Sequence, residues 1–494
     1  MKGSIWLFAL VALGGAGCFS VGPDYREPEV ANPVSELTDA GLPVSSNKMT
    51  QSERVTISAE EISAWWKIFQ DEKLTALVNQ AFASNLTMRV AAMRVREARA
   101  QLAIARGRWE PSLGLGGNYT RDRTSANGKT GRKLTRNDYA GGFDASWEID
   151  IFGGTRRNVE AAWAALDAEI AGLDQAWVSL AAEVGVNYMH LLTMKERLIV
   201  AHNNLKIQQE TLDILASRNK AGIGDDLAVQ QAKYNVETTR ATIPNLHVQI
   251  ESYLNALAIL TGQEPGTLHE ALQDVRFSDP IPPRRLTGID AELLRRRPDI
   301  RQAERNLAAQ CARIGVAEAE LYPHFYLTGS VGLESLKASN LFKSESLYWN
   351  FGPSFSWSIF NGNTVRANID IQDARYQAAL ATYRQALLTA QGEIRDALTA
   401  YVQEFHRFEA LTSAVEAAQS AVNISQDLYK NGLRDFNNVL DSERSLLTLQ
   451  ESFTISEGNI AMHLIRLYKA MGGGWASWLD EPPSERKPVE PILN

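Results

Sequence analysis

The stretch YAGGFDASWEIDIF, residues 139–152, decides how this chain is read. Tyr139, Phe143, Ala145, Trp147, Ile149 and Ile151 fall on one side of a two-residue period, and Asp144, Ser146, Glu148 and Asp150 fall on the other. Successive side chains of a strand point to opposite faces, so the segment predicts a strand over about 139–151 with one apolar face and one acidic face.

Three more stretches repeat the pattern. A strand over about 112–120 is expected to pair with 139–151, and a second pair is expected over about 324–334 and 347–359. There Phe325, Leu327, Val331 and Leu333 alternate with Tyr326, Thr328, Ser330 and Glu334, while Trp349, Phe351, Phe355, Trp357 and Ile359 alternate with Asn350, Ser354, Ser356 and Ser358. Segments of about 9–13 residues suit tilted strands that cross a bilayer.

Around these strands the chain is rich in Ala, Leu, Gln, Glu and Arg, with apolar residues recurring every three or four positions. Helices are predicted over 74–106, 156–219, 226–260, 299–319, 366–430 and 436–471. A helix of some 64 residues would be a rod of about 95 Å, which calls for coiled-coil-like packing along its length. Pro244 is expected to kink its helix. Gly222 and Gly432 are expected at tight helix C-termini.

The chain also repeats itself at an offset of roughly 210 residues. RWEPSLGLGGNY (108–119) matches ELYPHFYLTGSV (320–331), SWEIDIFGG (146–154) matches SFSWSIFNG (354–362), and RNKAGIGDDLAVQQA (218–232) matches LYKNGLRDFNNVLDS (428–442). One unit is written twice.

Residues 1–17 carry a single Lys, an apolar run and then small residues, the order of a bacterial secretory signal, and Cys18 follows. The apolar run is too short to span a bilayer. A Cys in this place predicts acylation of Cys18, with Gly15 standing where such signals usually carry Leu. Phe19 in place of Asp removes the inner-membrane retention signal and points to the outer membrane. A net charge of -8 over 494 residues gives no basic footprint, so nucleic-acid partners are excluded. Two cysteines offer no disulfide framework, and Cys311 is expected to be a small packed residue. No metal, cofactor or catalytic constellation is expected. GIGDDL at 222 follows a helix and is a turn rather than a nucleotide loop, and Trp65 and Trp66 are expected to be packing residues.

Exported strands with two unlike faces imply lipid outside and water inside. Membrane strands must close, because an open edge leaves backbone groups unpaired in hydrocarbon. Four strands cannot close alone, whereas three chains give twelve. Asp144, Glu148 and Asp150 would then line an acidic lumen.

WWKIFQDEKLTALVNQAFASN (65–85), RPDIRQAERNLAAQCARIGVAEAELYPHFYLTGSVG (297–332), YKNGLRDFNNVLDSERSLL (429–447) and YKAMGGGW (468–475) resemble the TolC-like outer-membrane factors. CFSVGPDYREPEV (18–30) is similar to the mature N-terminus of their lipoprotein, NodT-type branch. The resemblance implies a mainly α fold with transmembrane β: a homotrimeric 12-stranded outer-membrane barrel, four strands per chain, continued into a periplasmic α-helical barrel of roughly 100 Å. It implies the exit duct of a tripartite, RND-type efflux pump that catalyses nothing itself and works with a periplasmic adaptor, an inner-membrane transporter and outer-membrane lipid. The alternatives are a duct for type I protein secretion or metal efflux, and a structural coiled-coil lipoprotein, which would need neither the strands nor the duplication.

The division expected is a signal peptide over 1–17, a lipidated extended segment over 18–64, a first repeat over 65–265, a linker over 266–298, a second repeat over 299–475 and a tail over 476–494. The resemblance further implies a periplasmic gate near the helix-pair turns. Tyr429, Arg434 and Asp441 match the motif whose Tyr and Arg tether the closed state, with acidic residues ringing the aperture. Asn438 stands where some members carry Asp. Ala228 occupies a position that is acidic in some members, with Asp225 and Asp226 one turn away, and the partner of Arg434 is left open.

Overall fold

The computed structural model describes residues 20–28, 54–55, 62–128, 131–277, 285–286 and 295–475. The signal segment, Cys18, most of residues 26–58 and the C-terminal tail lie outside the described residues. In chain order the elements are β1 (Arg54–Val55), α1 (Glu72–Ser84), α2 (Leu86–Gly107), β2 (Ser112–Arg123), β3 (Thr135–Ile149), α3 (Gly154–Lys220), α4 (Asp226–Leu260), β4 (Arg285–Leu286), α5 (Pro298–Ala319), β5 (His324–Ser335), β6 (Leu347–Ser356), α6 (Thr364–Lys430) and α7 (Phe436–Ala470), with short 3-10 turns at Trp65–Phe69, Ala338–Asn340 and Ser344–Ser346.

The duplication survives in the element lengths. α2 and α5 are both 22 residues, α3 and α6 both 67, and α4 and α7 both 35. Both long helices end in the same closure: Ile223 N–H donates to the Arg218 carbonyl and Gly222 N–H to that of Asn219, as Leu433 does to Leu428 and Gly432 to Tyr429. Gly222 and Gly432 sit at φ +72° and +71°, where a side chain would be strained, so each ends its helix as expected.

One expectation about the helices changes. The single helix predicted over 74–106 is two, because Asn85 is extended at its φ and ψ and its side chain accepts from Met88 N–H at 3.0 Å, starting α2 afresh. Pro244 stands inside α4, which runs on as one helix around it.

The chain divides into two compact units. One comprises the described residues within 20–28, 94–169 and 302–384 and contains the four-stranded antiparallel sheet, in the order β2-β3-β5-β6. The two expected hairpins are therefore joined by a β3–β5 ladder, with Tyr139 opposite Ser335 and Ile149 opposite Phe325. Gly142 and Gly332 face each other there, and a Cβ on Gly142 would lie 2.6 Å from the Val331 carbonyl. In this unit residues 20–27 form a strap. Val21 N–H donates to the Phe152 carbonyl at 3.1 Å, and buried Arg157 donates to the Val21 and Gly22 carbonyls and to Asp24 at 2.7 Å. Tyr25 donates to Glu304 at 2.6 Å, and Cys311 is buried beside the Pro23 carbonyl.

The other unit comprises the described residues within 54–93, 170–301 and 385–475. Its main core is aromatic at one end: Trp65, fully buried, stacks on Tyr468 and meets Trp66 and Phe69 edge-on. A Cβ on Gly185 would sit 2.5 Å from the Trp65 ring, so the glycine makes room for the indole. Tyr188 donates to Asp71, whose carboxylate also caps α1, and burial together with that bond pushes the Tyr188 hydroxyl well above its usual pKa. Arg297 is buried and gathers Asp299, Glu393 and the Ala470 carbonyl, tying α5 to α6 and α7. Arg301 packs over Trp475 in the same unit.

Candidate functional site

The ladders put like faces together across all four strands. Leu113, Leu115 and Tyr119 stand opposite Ala145, Phe143 and Tyr139; Trp147 and Ile149 stand opposite Leu327 and Phe325; Phe325, Val331 and Leu333 stand opposite Phe355, Trp349 and Leu347. This apolar face is bare in the single chain, with Leu115 and Trp349 each 74% exposed. The opposite face carries Ser112, Asp144, Ser146, Glu148, Thr328, Ser330, Asn350 and Ser354. β2 and β6 each keep one edge without a ladder partner among the described residues. A soluble sheet hides one face and blunts its edges; this one does neither.

Two of the three expected lumen residues are on the polar face. Glu148 stands opposite Tyr326 and its carboxylate lies 2.8 Å from His324 Nδ1, while Asp144 stands opposite Ser330. Asp150 is not on the strand. β3 ends at Ile149, and the Asp150 carboxylate accepts from Arg156 N–H at 2.8 Å beside the start of α3. At the same end of the sheet β6 stops at Ser356, leaving Trp357 and Ile359 beyond it. Each hairpin is closed at its base by an indole: Trp147 donates to the Trp109 carbonyl and Trp357 to that of Leu321.

The expected gate residues lie at the tips of α3–α4 and α6–α7, which pack together through Leu215, Ala228, Ala232, Phe436, Val439 and Leu440. Ala228 is thus a buried core residue of the tip. Tyr429 packs against Phe436, with ring centroids 5.3 Å apart, and the Arg218 guanidinium lies 5.2 Å over its ring. Arg434, Asn438 and Asp441 are exposed; Asn438 donates to the Asp435 carbonyl, and Arg434 makes no ion pair among the described residues. Asp225 caps α4 through Leu227 N–H, and Asp226 accepts from Asn219 at 3.4 Å.

The bonds that cross between the repeats come from residues the sequence reading passed over. Arg444 donates to Asn235 at 2.9 Å and lies over Tyr234. Glu443, buried between helices, accepts from Thr211 and Gln426; burial pushes its carboxyl above the usual range and these two bonds pull it partly back. Higher on the same helices Asn204 donates to Gln450 at 2.8 Å. Both Glu443 and Arg444 lie in the DSERSLL stretch already singled out, but a charged pair on a helix carries no mark of which neighbour it meets.

A sheet with one bare apolar face, one polar face and open edges, joined to long paired helices, defines a strand-contributing membrane channel subunit. The chain belongs to the outer membrane efflux protein family, which matches residues 77–263 and 291–473. It is 32% identical over 472 residues to nodulation protein T of Rhizobium leguminosarum bv. viciae, covering 95% of this chain and 93% of that protein. It is 30% identical over 473 residues to the cation efflux system protein CusC of Escherichia coli strain K12, covering 94% and 98%. The solved outer-membrane channel OprN superposes with a TM-score of 0.84 at 33% identity, over 92% of this chain and 99% of that one.

Proposed function

We propose that three copies of this chain close a twelve-stranded barrel in the outer membrane and form the exit duct of a tripartite efflux pump. The observation that carries the reading is the apolar face running unbroken over β2, β3, β5 and β6 beside two unpaired edges. In hydrocarbon both edges must find partners, and a second copy supplies them. The duct is passive: cargo, whether drug-like molecules or, as the name of the CusC relative suggests, cations, is chosen by the inner-membrane transporter and delivered through a periplasmic adaptor. Cys18 is the acylated N-terminus, Asp144 and Glu148 face water in the lumen, and Asp150 stands at its inner mouth.

In the same proposal the tips form the gate. Tyr429, held between Phe436 and Arg218, anchors α6 against α3, while exposed Arg434, Asn438, Asp441, Asp225 and Asp226 face solvent and bridge neighbouring subunits around the aperture. A few charge-assisted bonds bias such a two-state element by a few kcal/mol. The test is the mass of the detergent-extracted complex by native mass spectrometry, with the N-terminal peptide read for acyl chains, followed by conductance in planar bilayers. A conducting trimer acylated at Cys18 is expected; a stable, non-conducting monomer would defeat the reading.

A further inference from the structure

The apolar face has a measurable height, and what lies beyond it differs between the two hairpins. On β3 it runs from Ile149 to Tyr139, ten steps at about 3.3 Å, or about 25 Å along the membrane normal for a strand tilted near 40°, which equals the apolar band of a membrane barrel. Tyr139 and its cross-strand partner Tyr119 close that band as an aromatic pair, with centroids 4.7 Å apart and the Tyr119 hydroxyl donating to Asn137. The next positions on the same face are Arg121, opposite Asn137, and Arg123, opposite Thr135, both exposed. No carboxylate shares this face beyond the tyrosines: Asp122 and Asp138 alternate onto the polar side, where Asp122 stands opposite Arg136. On the second hairpin Ser335 stands level with Tyr139, Leu333 and Leu347 lie one repeat nearer the helices, and β5 ends at Ser335, so its ladder does not reach the level of Arg121 and Arg123.

The helices connect at the other end of the sheet, so the hairpin ends are the ones that cross to the outside. We propose that Arg121 and Arg123 form a site for the phosphate groups of the outer leaflet's phosphorylated glycolipid, which the Tyr119–Tyr139 pair positions at headgroup height. The proposal rests on the apolar face being the lipid-facing one. Its chemistry is direct: guanidinium forks match phosphate oxygens in pairs, and two of them one strand-repeat apart suit a diphosphorylated headgroup better than a single phosphodiester.

The test is lipid retention by the full-length complex, measured by native mass spectrometry after equilibration with diphosphoryl lipid A and with phosphatidylglycerol at equal mole fraction. The intact protein is expected to retain diphosphoryl lipid A preferentially, and Arg121→Gln with Arg123→Gln to lower that retention about tenfold, whereas Lys337→Gln with Lys343→Gln on the other hairpin changes nothing. Retention unchanged in the double arginine variant, or phosphatidylglycerol held equally well, would overturn the site. Conductance in phosphatidylcholine bilayers separates the two levels: conducting protein with unaltered lipid A retention sinks only the glycolipid site, and failure of the unaltered protein to conduct sinks the membrane reading beneath it.

Discussion

A few side chains bear on whether the helix tips stay shut. Removing the Arg218 guanidinium leaves the face of Tyr429 uncovered, and removing Arg434 takes a cation from the exposed tip; each substitution to Ala should raise single-channel conductance of the reconstituted channel, and unchanged conductance would take that residue out of the gate. Glu443 gives a pH signature. Its carboxyl is raised by burial, so the stability it contributes as the neutral acid is fully present below the ordinary carboxylate range and is lost as pH rises through the raised value. Glu443→Gln keeps an oxygen for Thr211 and Gln426, so the variant should melt higher than the parent at neutral pH, with the difference vanishing in acid. Arg157 is the residue on which the strap depends. Arg157→Ala would leave the Val21 and Gly22 carbonyls without their donor while Asp24 and Glu160 turn to water, costing about 1–2 kcal/mol, and should expose residues 20–27 to limited proteolysis while the sheet persists.

Among the elements, faces were easier to read than partners. Alternation assigned every strand its apolar side, but a period of two does not say which strand lies alongside, and the β3–β5 ladder joining the two halves carries no local mark. The same alternation overran the strand at Asp150, because the pattern continues after the carboxylate has been drawn off to Arg156 N–H. The helices were legible for their periodicity, except where Asn85, one polar residue in an Ala- and Leu-rich run, breaks 72–107 in two. The Gly142–Gly332 contact was invisible until the register was known. Gly142→Val should push β3 from β5 at a cost of roughly 1–3 kcal/mol and lower the temperature at which the detergent-solubilised complex dissociates, whereas the same change at Gly116, which meets nothing within 4 Å, should be tolerated.

For the whole molecule, the sequence spoke clearly about class and faintly about its working parts. Four two-faced strands, a duplicated chain and an export signal leave little besides a shared barrel. The tip contacts did not show, because Arg218 and Arg444 are two basic residues among many on helical surfaces and only packing selects them. Arg297 is different: it opens the 297–332 stretch, one of those that carry the family resemblance, and its bonds to Asp299, Glu393 and Ala470 give that stretch a physical reason. Arg297→Met should cost about 1–3 kcal/mol, because the Ala470 carbonyl loses its donor while Asp299 and Glu393 stay open to water, read as a lower yield of assembled complex.

The equal helix lengths of the two repeats carry a consequence for how such a chain can change over generations. Letters can drift, but the count cannot. One residue inserted in α3 near position 205 would turn everything after it by about 100° and advance it by about 1.5 Å, swinging Thr211 and Leu215 away from Glu443 and Leu440. No neighbouring helix could follow without a matching insertion of its own. Frame-preserving insertions and deletions should therefore be purged from the long helices and survive in the hairpin turns around residues 124–134 and 336–346, a bias that a random-insertion library selected for export of a toxic solute would expose directly.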